Sequence, residues 1–168
     1  MDDLKWMIAR QLPALRRYAQ ALAGDRDRAD DLVQDCLERA LKKRHLWRRK
    51  GPLRSWLFRI LHNVHVDQQR SPKGRELPLR EADAVLRQRP DQESGLHCQD
   101  IGKAMAQLPD EQRKVLLLVA LENFSYDEVA DILDTPIGTV RSRLSRGRQA
   151  LRVMGVGLHQ EPKLRSVK

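Results

Sequence analysis

The sequence predicts an all-α protein made of two small helical domains, a three-helix unit and a four-helix helix-turn-helix unit, joined by a flexible linker. Three observations carry this. Apolar residues recur at helical spacing through both halves of the 168 residues. Aromatic residues are only 4% of the chain, too few for a large β-sandwich core. Pro72, Gly74, Pro78, Pro90 and Gly95 cluster between the two periodic halves, as in a linker. The expected boundaries are 1–70 for the first domain, 71–97 for the linker, 98–155 for the second domain and 156–168 for a frayed tail.

In the first helix Trp6, Ile8, Leu12, Leu15, Tyr18, Ala19 and Leu22 form an apolar stripe, and Gly24 ends it. Pro13 is expected to kink this helix or restart it. Asp25 or Asp27 caps the next helix, which runs to about Arg44 and buries Leu32, Val33, Cys36, Leu37, Ala40 and Leu41. Asp31, Gln34, Asp35 and Glu38 share its opposite, exposed face. This is a solvated face or a docking surface for a basic helical partner. A calcium loop is excluded, because Ala29 stands where a third ligand belongs and no loop glycine follows.

From Arg39 to Val66 there is no acidic residue. Lys42, Lys43, Arg44, Arg48, Arg49, Lys50, Arg54 and Arg59 are interleaved there with Trp47, Trp56 and Phe58. Positive charge beside planar rings suits single-stranded nucleic acid, whose phosphates take the charge and whose bases stack. Gly51-Pro52 opens a third helix with Leu53, Trp56, Leu57, Ile60 and Val64 as its buried stripe. Trp56 is therefore expected in the core, while Arg59, Asn63 and Arg70 project elsewhere. His62 and His65 read as a surface pair, with no third metal ligand nearby.

After the linker, Ile101, Ala104, Met105 and Leu108 mark a short amphipathic helix. Pro109, Asp110 and Glu111 start another, whose apolar run Val115–Leu121 is buried and which Glu122-Asn123 ends. Ser125 and Glu128 form a capping box for a helix with apolar Val129, Ala130, Ile132 and Leu133. Asp134 breaks it. Thr135 is the expected cap of the last helix and Pro136 its first residue. Ile137, Val140, Leu144 and Leu151 form the buried stripe of that helix. Its other face carries Arg141, Arg143, Arg146, Arg148 and Arg152, with Ser142, Ser145 and Gln149 between them. No acid lies between Asp134 and Glu161 to balance that charge. This is the pattern of a helix-turn-helix whose second helix enters the major groove.

The formal charge of +9 favours a polyanionic partner, nucleic acid before membrane. It is carried mainly by residues 1–70, with 16 basic against 9 acidic residues. No apolar run approaches a membrane span, and no signal peptide opens the chain. Isolated Cys36 and Cys98 fit a reducing cytoplasm better than a disulfide framework. No metal, cofactor or enzymatic activity is expected.

Several blocks together resemble a small bacterial sigma factor of the extracytoplasmic-function (ECF) group. In the first domain these are Ala29–Asp35 with Leu37, Arg39 and Ala40, then Trp56–Ile60 with Asn63, Asp67 and Arg70. In the second they are Leu108-Pro109, Tyr126–Ala130 and Pro136–Leu144. The resemblance implies a transcription initiation factor that binds core RNA polymerase and directs it to promoters. It implies core-polymerase contact by Asp31, Gln34, Asp35 and Glu38. It implies minus-ten element contact, on melted single strand, by Trp47, Arg48, Arg49, Lys50, Arg54, Arg59, Asn63 and Arg70, with Trp47–Pro52 edging a pocket for a flipped base. It implies minus-thirty-five contact, on duplex, by Thr139, Arg141, Ser142, Arg143, Ser145, Arg146 and Arg148. Arg141, Ser142, Ser145 and Arg146 would read bases, Arg143 and Arg148 hold phosphates. An anti-sigma factor is the implied regulator. Ser145 departs from members with a bulky aromatic there, which leaves the upstream sequence open.

Three other readings compete. A stand-alone helix-turn-helix regulator leaves the first domain unexplained. A sigma-mimicking adaptor has no need of the arginine helix. A metal-dependent nuclease would need the acids between Asp25 and Glu38 to converge, and helical spacing spreads them.

Overall fold

The computed structural model describes residues 2–47, 51–71 and 92–156. The expected residues Arg48, Arg49, Lys50, the prolines of the linker and the tail beyond Val156 lie outside these. Among the described residues all regular structure is helical. Helices α1 (Asp2–Ala23), α2 (Arg26–Lys42) and α3 (Leu53–Arg70) form the first domain, with a 3₁₀ turn at Arg44–Leu46. Helices α4 (Gln92–Gln107), α5 (Asp110–Leu116), α6 (Tyr126–Leu133) and α7 (Ile137–Val153) form the second. A π-helical stretch, Leu117–Leu121, follows α5 directly.

Local chemistry explains most helix ends. Gly24 has φ 68° and its N–H donates to the Gln20 carbonyl, a left-handed C-cap that a Cβ would strain. The Asp25 carboxylate accepts from the Asp27 N–H at 3.3 Å and caps α2. The Ser125–Glu128 capping box is complete, with Ser125 Oγ accepting from the Glu128 N–H and Glu128 Oε2 accepting from the Ser125 N–H.

Two boundary expectations are corrected. Of the kink or restart expected at Pro13, the restart is absent, because α1 is one helix from Asp2 to Ala23. Pro13 is exposed, and Ile8, Leu15, Tyr18 and Ala19 anchor the helix in the core on both sides of it. Thr135 does not cap α7. Its hydroxyl donates back to the Leu133 carbonyl at 3.1 Å, Pro136 becomes the cap residue, and Ile137 is the first helical residue. Asp134, at φ 49°, makes the sharp turn between α6 and α7.

Leu15, Tyr18, Leu22, Leu32, Leu57, Phe58 and Leu61 fill the first domain, each essentially inaccessible to water. A buried side chain of this size contributes about 1.5–3 kcal/mol by leaving water. Leu116, Leu118, Ile132, Val140 and Leu151 do the same in the second domain. The two domains touch: α3 packs on α6, and α1 on the Leu117–Leu121 stretch. Phe58 meets Phe124 edge-on across this junction at 4.9 Å, and Tyr18 stacks beside Phe58 at 5.3 Å.

The junction rearranges several expected stripes. Phe58, read with Trp47 and Trp56 as planar groups interleaved with the basic residues, is fully buried. Leu61 is buried where Trp56 and Ile60 are only half-buried, because α3 turns its Phe58–Leu61 side toward α1 and α6. Trp6 is 59% exposed, with the Arg10 guanidinium 4.9 Å over its ring. Leu41 is 40% exposed, because it lies in the last turn of α2 at the edge of the core.

Candidate nucleic-acid interface

Asp31, Gln34, Asp35 and Glu38 all lie exposed on one face of α2, opposite buried Leu32, Val33 and Cys36. The face is ordered by local bonds. Gln68 of α3 donates to Asp35 Oδ2 at 2.9 Å, and Gln34 donates to Glu38 Oε1 at 3.4 Å. Beside it Arg39 and Asp67 pair at 2.7 Å between α2 and α3. The pair is exposed and screened, so it orients side chains more than it stabilises them. Behind the face, burial pushes the Cys36 thiol up to about 12, and its Sγ lies 3.5 Å from the Leu57 carbonyl.

At the start of α3 the rings of Trp47 and Trp56 lie 6.4 Å apart, both half-exposed. The indole N–H of Trp47 donates to the Gly51 carbonyl, 3.4 Å away. Arg59, Asn63 and Arg70 are exposed along α3, four and seven residues apart, and so follow one flank of the helix. Arg54 does not join them. It points into the junction between the domains.

On α7 Arg141, Ser142, Ser145, Arg146, Gln149 and Arg152 are exposed, while Thr139 and Arg148 are half-exposed. The hydroxyl of Ser142 donates to the Thr139 carbonyl at 3.0 Å. Arg143 differs: its guanidinium pairs with Glu111 of α5 at 2.9 Å. The expectation of no local counter-charge holds along α7, and Arg143 finds its acid on α5, which packs against α7 and brings a carboxylate the local sequence lacks. Gly147 is the reason they pack so closely. A Cβ there would lie 2.7 Å from Leu116 Cδ1, and Leu116 is itself fully buried.

Sequence reasoning missed the charged centre of the junction. The Glu122 carboxylate is fully buried between two arginines of the first domain. Arg17 Nε and Nη2 donate to its two oxygens at 2.9 Å each. Arg54 Nη2 donates to Oε2 and to the Glu122 backbone carbonyl, both at 2.8 Å. Arg54 also lies 4.3 Å over the Phe124 ring. The hydrogen bond to Glu122 raises the Arg17 pKa above its ordinary value. The π-helical stretch sets the geometry: the Glu122 N–H donates five residues back to Leu117, and Asn123 then turns at φ 56°. A run of seven apolar residues ending in a lone acid is the signal that was available in the sequence.

His62 and His65 are a second correction. They are not a surface pair: His65 is buried and His62 half-buried, facing Lys114 and Asp110 of the second domain. Burial first, and the Lys114 charge second, hold each imidazole down to about 4. His62 Nδ1 and His65 Nε2 have no hydrogen-bond partner. Lys114, itself buried, is paired with Asp110 and Glu111. Burial pushes the Asp110 carboxyl up, but the Lys114 bond and charge, with Arg113, outweigh it and leave its pKa below the usual value. No group of three potential metal ligands converges among the described residues. No helix there is long and apolar enough to cross a membrane.

This geometry has known relatives. A family model, the Sigma2 domain of PhyR, matches residues 8–62. Another, Sigma-70 region 4, matches residues 98–151. The ECF RNA polymerase sigma factor EcfG of Rhodopseudomonas palustris is 36% identical over 154 residues, 89% of this chain and 83% of that protein. The ECF sigma factor SigL of Mycobacterium tuberculosis is 33% identical over 143 residues, 83% of this chain and 81% of its own. Among solved structures, the sigma factor RpoE of Bartonella quintana in complex with the anti-sigma factor NepR aligns with a TM-score of 0.77 at 36% identity. That alignment covers 92% of this chain and 97% of RpoE. The PhyRSL–NepR complex of Sphingomonas sp. Fr1, at 21% identity and a TM-score of 0.70, shares the fold.

Proposed function

The chain belongs to the ECF RNA polymerase sigma factors, and from that premise we propose how its surfaces divide the work of promoter-specific initiation. It is an alternative sigma factor, with core polymerase and promoter DNA as its partners. The acidic face of Asp31, Gln34, Asp35 and Glu38 docks on a basic helical surface of core polymerase. The α7 face of Thr139, Arg141, Ser142, Ser145 and Arg146 enters the major groove of the minus-thirty-five element. One bidentate arginine–guanine contact there discriminates by about 1–3 kcal/mol. Arg148 holds phosphate, while Arg143 is kept by Glu111 as a support for α7. Trp47, Arg59, Asn63 and Arg70, with Arg48, Arg49 and Lys50, hold the melted minus-ten strand, while Arg54 is kept by Glu122 in the domain junction.

One observation carries this reading: α2 and α7 each expose a single-signed face, acidic on one and basic on the other, over well-packed cores. Single-signed faces on rigid helices suit docking and groove reading, and neither forms a catalytic pocket. The protein works in the cytoplasm, where the polymerase is, and catalyses no chemistry of its own. By analogy with RpoE bound to NepR, an anti-sigma factor restrains it.

The test is transcription in vitro by purified bacterial core polymerase, with and without this protein, on pooled genomic promoter fragments. New transcripts with defined starts are expected. Absence of both transcripts and core binding favours the second reading, a sigma mimic that titrates an anti-sigma factor. The match of residues 8–62 to the Sigma2 domain of PhyR, named an anti-anti-sigma factor in its complex with the anti-sigma factor NepR, favours that reading. The exposed Arg141 and Arg146 count against it, because a mimic needs no groove-reading face.

A further inference from the structure

We infer that Gly138 is the point where the backbone of α7 lies directly against duplex DNA, with no side chain between, and so sets how deeply the helix enters the groove. This deepens the duplex contact proposed for α7 above, and rests on it. A glycine inside a helix has a cost: relative to alanine it lowers the helix equilibrium about two- to fivefold. Two glycines lie inside α7, and the fold explains one of them. At Gly147 a Cβ would meet the Leu116 side chain at 2.7 Å. At Gly138 nothing lies within 4 Å of where a Cβ would stand, and the backbone is not left-handed. Among the described residues, therefore, nothing excludes a side chain there.

What does exclude it lies outside the chain. Gly138 is exposed in the first turn of α7, on the side away from buried Val140, Leu144 and Leu151. Arg141, Ser142, Ser145 and Gln149 follow it along that side at intervals of three or four residues, all exposed. Gly138 thus stands at the head of the face assigned to the promoter, where it removes the first side chain that an approaching duplex would meet.

The residues behind it need that approach to be close. The major groove is about 12 Å wide and a helix with its side chains about 10–12 Å across, so α7 enters with little slack. Ser142 and Ser145 carry their hydroxyls a single carbon from the backbone, and they reach base edges only if the backbone itself comes near. Both lie one or two turns beyond Gly138 on the same side. A side chain at 138 would prop the helix out and lift both hydroxyls off the bases. The longer Arg141 and Arg146 tolerate such a shift better, so Gly138 governs the serine contacts more than the arginine contacts.

The test is a size series in the full chain, Gly138→Ala and Gly138→Met. Alanine and methionine both favour a helix over glycine and meet open space, so the urea midpoint of each variant is expected at or above that of the parent. Each variant is then combined with core polymerase on a genomic promoter fragment that the parent chain transcribes. The holoenzyme concentration for half-maximal transcription is expected to rise about fivefold or more for alanine and about thirtyfold or more for methionine, as for groups forced into a close-packed contact. Core binding is expected to stay unchanged. Stability kept or gained while promoter affinity falls is the mark of a glycine that serves a partner and not the fold. Both variants transcribing as the parent does, while Arg141→Ala is impaired, overturns the inference and leaves the reading of α7 standing. Full activity in all three variants, or a parent chain that transcribes nothing, removes the reading of α7 and the inference with it. A lowered urea midpoint for Gly138→Ala also overturns the inference, because the glycine then serves the fold.

Discussion

The acids of α2 and the acid at Glu122 have opposite fates. Asp31, Asp35 and Glu38 stand in water on one helical face, with fixed partners only where Gln68 and Gln34 reach Asp35 and Glu38. Glu122 stands alone in an apolar stretch, fully buried and held by two arginines from the other domain. Residue type does not separate them. Environment does: an exposed acidic face is left for a partner molecule, whereas a buried acid must already have its partners within the fold.

The sharpest way to break the comparison is to remove the partners of Glu122. Arg17→Met with Arg54→Met leaves a buried carboxylate unpaired. Unfolding in urea should lose about 3–5 kcal/mol, or reveal two separate transitions as the domains part. A loss below about 0.5 kcal/mol would mean that Glu122 is hydrated in solution and the junction already open.

Acid is the next test. His62 and His65 titrate near 4 in the folded chain against an ordinary 6.5. The unfolded chain therefore takes up protons first as pH falls. Stability is complete above about pH 6.5 and declines toward pH 4. Unfolding free energies from urea titrations at pH 7 and 4.5 should differ by about 2–4 kcal/mol, and His62→Gln with His65→Gln should flatten the difference. Lys114 and Arg113 add to the effect by repelling the new charge, while Asp110 and Glu111 oppose it.

Gly147→Ala has a smaller expected effect, about 1–2 kcal/mol, because one methyl group meets buried Leu116 and α7 must shift to admit it. Thermal unfolding measures it. The smallest effect on folding belongs to the exposed face. Asp35→Lys should change stability by less than about 0.5 kcal/mol yet weaken core polymerase binding about tenfold or more, read by gel filtration and titration. Unfolding of that variant would refute the docking assignment.

What was legible in the sequence was local. The capping box at Ser125, the cap at Asp25 and the turn at Gly24 depend on neighbours within four residues, and the structure has each of them. The α2 and α7 faces follow from helical period alone. Illegible were features set by elements far apart in sequence. Phe58, His62 and His65 are covered because the second domain packs on α3. Arg143 meets Glu111 because α5 crosses α7 at Gly147. Arg17 and Glu122 are separated by 105 residues, and no periodicity connects them. Trp6 and Leu41 failed for a simpler reason: they lie at helix ends, where the apolar stripe outruns the core.

The central claim is that the acidic face of α2 serves the polymerase while the basic face of α7 serves DNA. Arg141→Ala tests it most directly, with core binding and promoter-specific transcription measured on the same preparation. Unchanged core affinity with transcription reduced about tenfold or more is the predicted result, because Arg141 is exposed on α7 and far in sequence from the acidic face. Loss of core binding by that variant would contradict the division of labour between the two helices.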